Sequence, residues 1–384
     1  MDPTHSPLEI PPEQFVRRVE KGEPFQVLDV RAAQRLASGR VDIVPDERFF
    51  NLRGSLLVEM KDFGPTGLDK TLPLAVVCGF GRDSRRIARH LTRAGFDALS
   101  LQGGMSRWVH TLVARELTPP ANVDRLVQFD RIGKGALAYL AVSGDEAVVI
   151  DAPRHPEPIL EAAREAGARI VAVADTHAHA DYISGGPALA NELGVPYHLH
   201  PADNSYPYDG TPGKLVIDAL QDGRELRVGG ATLTALHMPG HTEGSVAYRI
   251  GDETVLTGDF LFVASVGRPD LGERTEEWTG SLWHSLERAR REWPASTQVL
   301  PAHYASDKER DGDRAVEARF GAMRARNTPL AIEHEADFRE WVQARAGAFP
   351  EQYRRIKAIN VGLVRVDEAE ADELEAGRNE CALG

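Results

Sequence analysis

Four times between residues 169 and 304 an apolar, strand-like stretch stops and hands over a histidine or an aspartate. "RIVAVADTHAHADY" delivers His177 and His179, with Asp181 two residues on. "TALHMPGHTEGS" delivers His241 through a Pro239, Gly240 turn, "ETVLTGDF" ends on Asp259, and "TQVLPAHY" ends on His303. An extended chain points alternate side chains the same way, so His177 and His179 share a face. Imidazole and carboxylate are transition-metal ligands, and four such groups at strand ends predict one shared metal site at the edge of a sandwich. A single strand-end histidine is more often an ordinary hydrogen-bonded residue. His198 and His200 in "PYHLHPAD", framed by neither turn signal nor carboxylate, are read that way.

The chain is long enough to carry more than this one layer. At 384 residues, two domains or two with an appendage are expected. Residues 1–115 alternate strand and helix: "FQVLDV" and "LAVVC" are strands, and "SRRIARHLTRAGF" is a helix ended by Gly95 with Ile87, Ala88, Leu91 and Ala94 on one buried face. Such alternation predicts an α/β layer fold. "ELTPPAN" at 116–122 carries two prolines and no periodicity and is read as a linker. Short strands, the helix "PEPILEAAREAG" and the histidine set fill 123–313, and 314–384 turns mostly helical.

Charge and apolar patterning exclude several classes of function. A formal net charge of -13 argues against nucleic acid, whose phosphates need a basic surface. No apolar run approaches the roughly 18 residues that span a bilayer, so no membrane segment is expected. "MDPTHSPLEIPPEQF" has neither the basic start nor the apolar core of a secretory signal, and a cytoplasmic protein is expected. Nothing in the sequence sets the oligomeric state, and a homo-oligomer is compatible with it. The two cysteines, Cys78 and Cys381, are too far apart in sequence to suggest a disulfide framework. Cys381, in "RNECALG", reads as an incidental small residue.

Cys78 follows the strand "LAVV" and opens the loop "CGFGRDS" before a helix. A thiol there faces backbone N–H groups and the positive end of a helix, which activates a sulfur nucleophile. The phosphatase spacing of cysteine, five residues and arginine fails, because position 84 is serine and Arg85 comes one place late. Through "VLDVR", "CGFGRDS" and "LQGGMSRW" the segment resembles rhodanese, a sulfurtransferase domain. The resemblance covers most of residues 8–115 and implies that Cys78 carries sulfane sulfur as a persulfide. The sixth loop position, often arginine in that family, is Asp83, which suits the start of a helix and works against binding of the thiosulfate dianion.

From about residue 123 to 313 the chain resembles the metallo-β-lactamase fold through "THAHAD", "PGHTEGS", "TGD" and "PAHY". The implied architecture is an α/β rhodanese-like domain followed by an αβ/βα sandwich with a C-terminal helical extension. Binuclear hydrolases of that superfamily, such as glyoxalase II, carry H-x-H-x-D-H, but here Tyr182 takes the last place. A phenol with an ordinary pKa of about 10 is a poor zinc ligand at neutral pH, which argues against a complete second site.

The persulfide dioxygenases do without that second site. Their iron is held by the first histidine of the motif, the PGHT histidine and the TGD aspartate, which are His177, His241 and Asp259 here. Such a triad implies one Fe(II) with positions open for a persulfide sulfur and O₂. "GDFLFVASVGRPDLG" is similar to the segment that follows the metal aspartate in those enzymes, with Arg268 as a contact for a substrate carboxylate or as a partner of Asp270. His179, Asp181 and Tyr182 then stand behind the ligands, orienting them or hydrogen-bonding the substrate.

The expected function is therefore oxidation of a low-molecular-weight persulfide, such as glutathione persulfide, to sulfite and thiol, joined to sulfur transfer at Cys78. A zinc thioester or lactone hydrolase using His177, His179, His241 and a bridging Asp259 is the alternative, with a metal-bound water of lowered pKa as nucleophile. A third reading is a sulfur-relay protein whose metal domain has lost catalysis.

Overall fold

The computed structural model describes residues 8–383, so the first seven residues, which belong to the segments read for a secretory signal and for the first domain, lie outside the description. The chain divides into two compact units. One holds residues up to 113 with the short segments 131–134 and 376–378, and the other holds 114–130, 135–375 and the residues from 379 on.

In the first unit, β1 (Glu9–Ile10), β2 (Gln26–Asp29), β3 (Phe49–Asn51), β4 (Leu74–Val77) and β5 (Ala98–Leu101) form a sheet in the order β1-β5-β4-β2-β3. Every neighbouring pair is parallel. Val27, Ala75 and Val77 pack with Phe15 and Trp108. The alternate residues Leu28, Leu74 and Val76 pack with Ile87, Leu91 and Phe96. Strands buried on both faces read as unbroken apolar runs, which is why "FQVLDV" and "LAVVC" are so legible. The helix after Cys78 runs Arg82–Arg93, two residues earlier than the sequence suggested, because Gly81 adopts a left-handed conformation and serves as its N-cap. Its buried face is Ser84, Ile87, Ala88 and Leu91, and Asp83 lies in its first turn.

The second unit pairs two sheets. The seven-stranded one comprises β6 (Leu112–Leu117), β7 (Arg125–Arg131), β8 (Ala136–Ser143), β9 (Glu146–Ile150), β10 (Arg169–Ala174), β11 (Tyr197–Leu199) and β12 (Asp218–Ala219), adjacent in that order. The stretch read as a linker at 116–122 thus opens inside β6. The six-stranded sheet comprises β13 (Glu225–Val228), β14 (Ala231–His237), β15 (Val246–Ile250), β16 (Thr254–Gly258), β17 (Gln298–Pro301) and β18 (Ala318–Arg319). Only the pair β16, β17 is parallel in it.

Between the sheets Leu126, Tyr139, Val148 and Ala172 meet Leu233, Tyr248, Leu256 and Leu300. The other face of the six-stranded sheet (Leu236, Ala247, Val255, Val299) is covered by Leu282 and Leu286 of the helix Thr275–Glu292 and by Phe320 and Phe338. This is an αβ/βα sandwich followed by a C-terminal helical region that includes Glu335–Gln343, Gln352–Asn360 and Glu368–Leu374. The strand directions bring the ends of β10, β14, β16 and β17 to one edge, where the Val246 N–H bonds the Thr176 carbonyl at 2.8 Å. Among the described residues no helix is long and apolar enough to cross a membrane.

Candidate metal centre

At that shared edge His177 Nε2 stands 3.6 Å and His241 Nε2 3.5 Å from Asp259 Oδ2. None of these three atoms has a hydrogen-bond partner among the described residues, and no side chain of the three is more than 1% exposed. Buried polar atoms are ordinarily paired. Three of them facing one another, too far apart to bond yet within 4.8 Å, make a hole for a cation. Two ligands each about 2.1 Å from one ion stand roughly 3 to 3.5 Å apart, which is close to the spacing found.

The groups behind the imidazoles set their tautomers. His241 Nδ1 lies 3.1 Å from the Arg268 carbonyl, which only accepts, so the proton sits on Nδ1 and the lone pair on Nε2. The Thr176 hydroxyl, 3.0 Å from both Asp151 carboxylate oxygens, donates to that acid, so its oxygen accepts from His177 Nδ1 at 3.0 Å and Nε2 is again bare. Burial, followed by the neighbouring His179 and His241, pushes His177 well below the usual histidine range. Burial likewise brings His241 down to about 4, against the pull of Asp259. Neutral imidazoles are the form that binds metal. Although burial opposes it, His303 and His241 hold Asp259 below the usual carboxylate range. The donor set therefore fits a divalent transition metal.

Asp181 and His303 lie beside this trio rather than in it. His303 Nδ1 donates to Asp259 Oδ1 at 2.6 Å, and its Nε2 is 3.1 Å from Asp181 Oδ2. Burial works against its charge, yet the two flanking acids raise it to about 10. His179 engages other partners through one nitrogen: its Nε2 is 2.8 Å from Tyr182 Oη and 3.1 Å from Asp151 Oδ1, while its Nδ1 is buried without a hydrogen-bond partner among the described residues. The Tyr182 ring stacks on the His179 ring at 4.2 Å, and burial, then Asp151, keeps its phenol protonated. Tyr182 thus supports the histidine that a hydrolase-type ligand set would use.

Residues 132–315 match the family model of the metallo-β-lactamase superfamily. That stretch is a metallo-β-lactamase superfamily domain. The hydroxyacylglutathione hydrolase of Methylococcus capsulatus is 37% identical over 161 residues, which is 42% of this chain and only 58% of the relative's own length. A metallo-β-lactamase of Staphylococcus aureus superposes with a TM-score of 0.55 at 26% identity, covering 63% of this chain and 74% of that one. ETHE1 from Myxococcus xanthus superposes with a TM-score of 0.51 at 23% identity over 66% of this chain and all of that one, a likeness of fold.

Several groups that complete this metallo-β-lactamase site were not singled out in the sequence. Asp151 closes "EAVVID" just as Asp259 closes "ETVLTGD", so the signal was present. It bonds the Thr176 N–H at 2.7 Å as well as Thr176 Oγ1 and His179. Asn360 gave no local signal. From the helix Gln352–Asn360 its Nδ2 donates to the carbonyls of His179 and Tyr182, both at 2.8 Å, and its Oδ1 accepts from the Ser184 N–H at 2.9 Å. Cys381, expected to be incidental, is instead fully buried with its sulfur within 4.8 Å of ligand atoms of Asp181 and His303. The packed C-terminal region carries it there.

Arg268 binds Asp270 through two bonds of 2.9 and 2.7 Å and the Gly347 carbonyl at 2.9 Å. Of the two roles open to it in the sequence, the structure shows the one with Asp270. Gly267 before it has no room for a side chain: a Cβ would fall 2.0 Å from the Asp259 carbonyl and 2.7 Å from His241 Nδ1. The "VGRPD" run is thus a strap laid directly on two residues of the candidate trio, His241 and Asp259.

In the first unit, Cys78 Sγ accepts from the Gly81 N–H at 3.1 Å and lies 3.3 Å from Ser84 Oγ. Gly104, at φ +62, closes the loop from the other side, where a Cβ would lie 2.3 Å from the Cys78 carbonyl. The "GG" of "LQGGMSRW" is therefore a requirement of the cysteine loop.

Proposed function

We propose that this chain is a persulfide dioxygenase, converting R–S–SH, O₂ and water to R–SH, sulfite and two protons, with sulfane-sulfur transfer at Cys78 as a companion activity. The observation that supports it best is that His177 Nε2, His241 Nε2 and Asp259 Oδ2 face one another, buried and without a hydrogen-bond partner among the described residues, while His179 Nε2 is committed to Asp151 and Tyr182. Fe(II) held by two imidazoles and one carboxylate would leave adjacent positions open for substrate sulfur and O₂.

The residues of the chain do the rest. Asp151 and Thr176 keep the His177 lone pair on Nε2, and the Arg268 carbonyl does the same for His241. His303 engages Asp259 Oδ1 and so leaves Oδ2 to the ion, while holding a proton between two acids. The burial of all these side chains keeps bulk water from the reacting sulfur. The resemblance to rhodanese, the parallel sheet of the first unit and the Cys78 loop support sulfur transfer there.

Purified with iron, the protein should consume O₂ with glutathione persulfide, and uptake no greater than that of His177→Ala would refute the proposal. Cys78→Ser should abolish sulfur transfer and spare O₂ uptake. The zinc hydrolase is the second reading, favoured by the name of the Methylococcus relative. Two zinc ions per chain with thioester cleavage and no O₂ uptake would establish it instead.

A further inference from the structure

Next to the metal centre a cavity of about 160 Å³ is lined by Ala178, Asp203, Tyr206, Thr242, Trp278 and Lys357, among others. Ala178 and Thr242 directly follow the metal histidines His177 and His241, so the cavity opens against the backbone that carries them. Lys357, on the helix Gln352–Asn360, is 2% exposed. Among the described residues no hydrogen bond or ion pair reaches its ammonium, and the Trp278 ring centre lies 5.9 Å from Nζ.

A buried ammonium without a counter-ion is costly and is seldom kept without a use. The acids around it are already engaged. Asp203 accepts from the Ala178 N–H at 2.8 Å, Thr242 Oγ1 at 2.7 Å and the Gly244 N–H at 2.7 Å, tying the two histidine loops together. Asp259 serves His303 and the metal trio. Arg274, the other cation of the cavity wall, is held by Glu277 and Glu243, both at 2.6 Å. Burial pushes the Lys357 ammonium below the usual lysine range, with Asp203, Cys381 and Asp259 drawing it back, and an arriving anion would favour its charged form further.

We infer that Lys357 receives a carboxylate of the thiol carrier, so that the substrates are persulfides of small thiols bearing a carboxylate. The inference rests on the persulfide reading for the sulfur half of the substrate. The lysine supplies the point charge and three donors for the carboxylate, and the aromatic walls Tyr206 and Trp278 limit competition from water. The helix that carries Lys357 also carries Asn360, three residues on, so the element that clamps the metal loop also reads the substrate.

The test uses the full chain loaded with iron, comparing wild type, Lys357→Met and Lys357→Arg on two persulfides, that of glutathione and that of 2-mercaptoethanol, which has no carboxylate. A lost charge-assisted bond predicts a rise in KM for glutathione persulfide of roughly 10- to 100-fold in Lys357→Met. The kcat should change little, the 2-mercaptoethanol persulfide should be used as by wild type, and Lys357→Arg should rescue in part. Calorimetric binding of glutathione itself, without turnover, should weaken by a similar factor. Equal losses on both persulfides would place the ammonium on the sulfur and overturn the inference, as would unchanged glutathione binding. If wild type consumes no O₂ with either persulfide, the dioxygenase reading fails, and glutathione calorimetry with the same variants still decides the lysine subsite.

Discussion

Replacing Asn360 by alanine removes one side chain and three buried hydrogen bonds, to the carbonyls of His179 and Tyr182 and from the Ser184 N–H. Each such bond contributes about 0.5–1.5 kcal/mol net. The small cavity left behind admits water that restores part of the loss, so a local destabilisation of about 2–3 kcal/mol is expected. At about 1.4 kcal/mol per tenfold, the Ser184 amide should exchange with solvent deuterium roughly 30- to 150-fold faster, provided exchange proceeds by opening of this loop. Peptides covering residues 176–186 read this by mass spectrometry. Because the loop carries His177, iron retention after dialysis should fall in parallel. Asn360→Asp keeps an acceptor for Ser184 but sets a carboxylate oxygen against two carbonyls, and should do at least as much damage. Exchange within threefold of wild type, with iron retained, would refute the claim that this helix holds the metal loop.

Three further outcomes follow from the same geometry. Tyr182→Phe should cost about 1–2 kcal/mol, because His179 Nε2 and the Asp151 carbonyl lose the phenol; iron content should not change, and its loss would put the tyrosine in the metal trio. Tyr182→His offers an imidazole near Asp181 and His303 and should raise the bound metal per chain, which metal analysis would contradict if the stoichiometry stayed fixed. Gly104→Ala drives a methyl into the Cys78 carbonyl and should abolish sulfur transfer while O₂ uptake persists, whereas full transfer activity would show that the loop tolerates a side chain. Stripping the metal with a chelator should cost the fold the lost binding free energy, about 2.7 kcal/mol where free metal stood at 100 times Kd, read as a fall in the thermal midpoint that re-addition restores.

Much of the architecture was open to sequence reading because it depends on neighbours in the chain. Apolar runs ended by turns marked β10, β16 and β17, and helical spacing of Ile87, Ala88 and Leu91 marked the helix after Cys78. The start of that helix was misplaced by two residues because a left-handed Gly81 is a backbone choice that residue identity permits without requiring. The "GRPD" run was visible, but the length of an arginine side chain reaches a substrate as easily as an acid two residues away. Only the packed chain pairs Arg268 with Asp270.

By itself the sequence determined that two histidines and an aspartate would arrive at strand ends with a tyrosine where another histidine was expected, since strand termini and turns are written in adjacent residues. Tertiary structure alone decided which way each ring nitrogen faces. The partners that settle this lie far off in the chain: Asp151 for His179, Asn360 for the loop carbonyls, and Lys357 for the cavity beside them. A side chain's orientation follows the hydrogen bonds and charges it meets after folding, and those reach the site from segments with which it shares no local pattern.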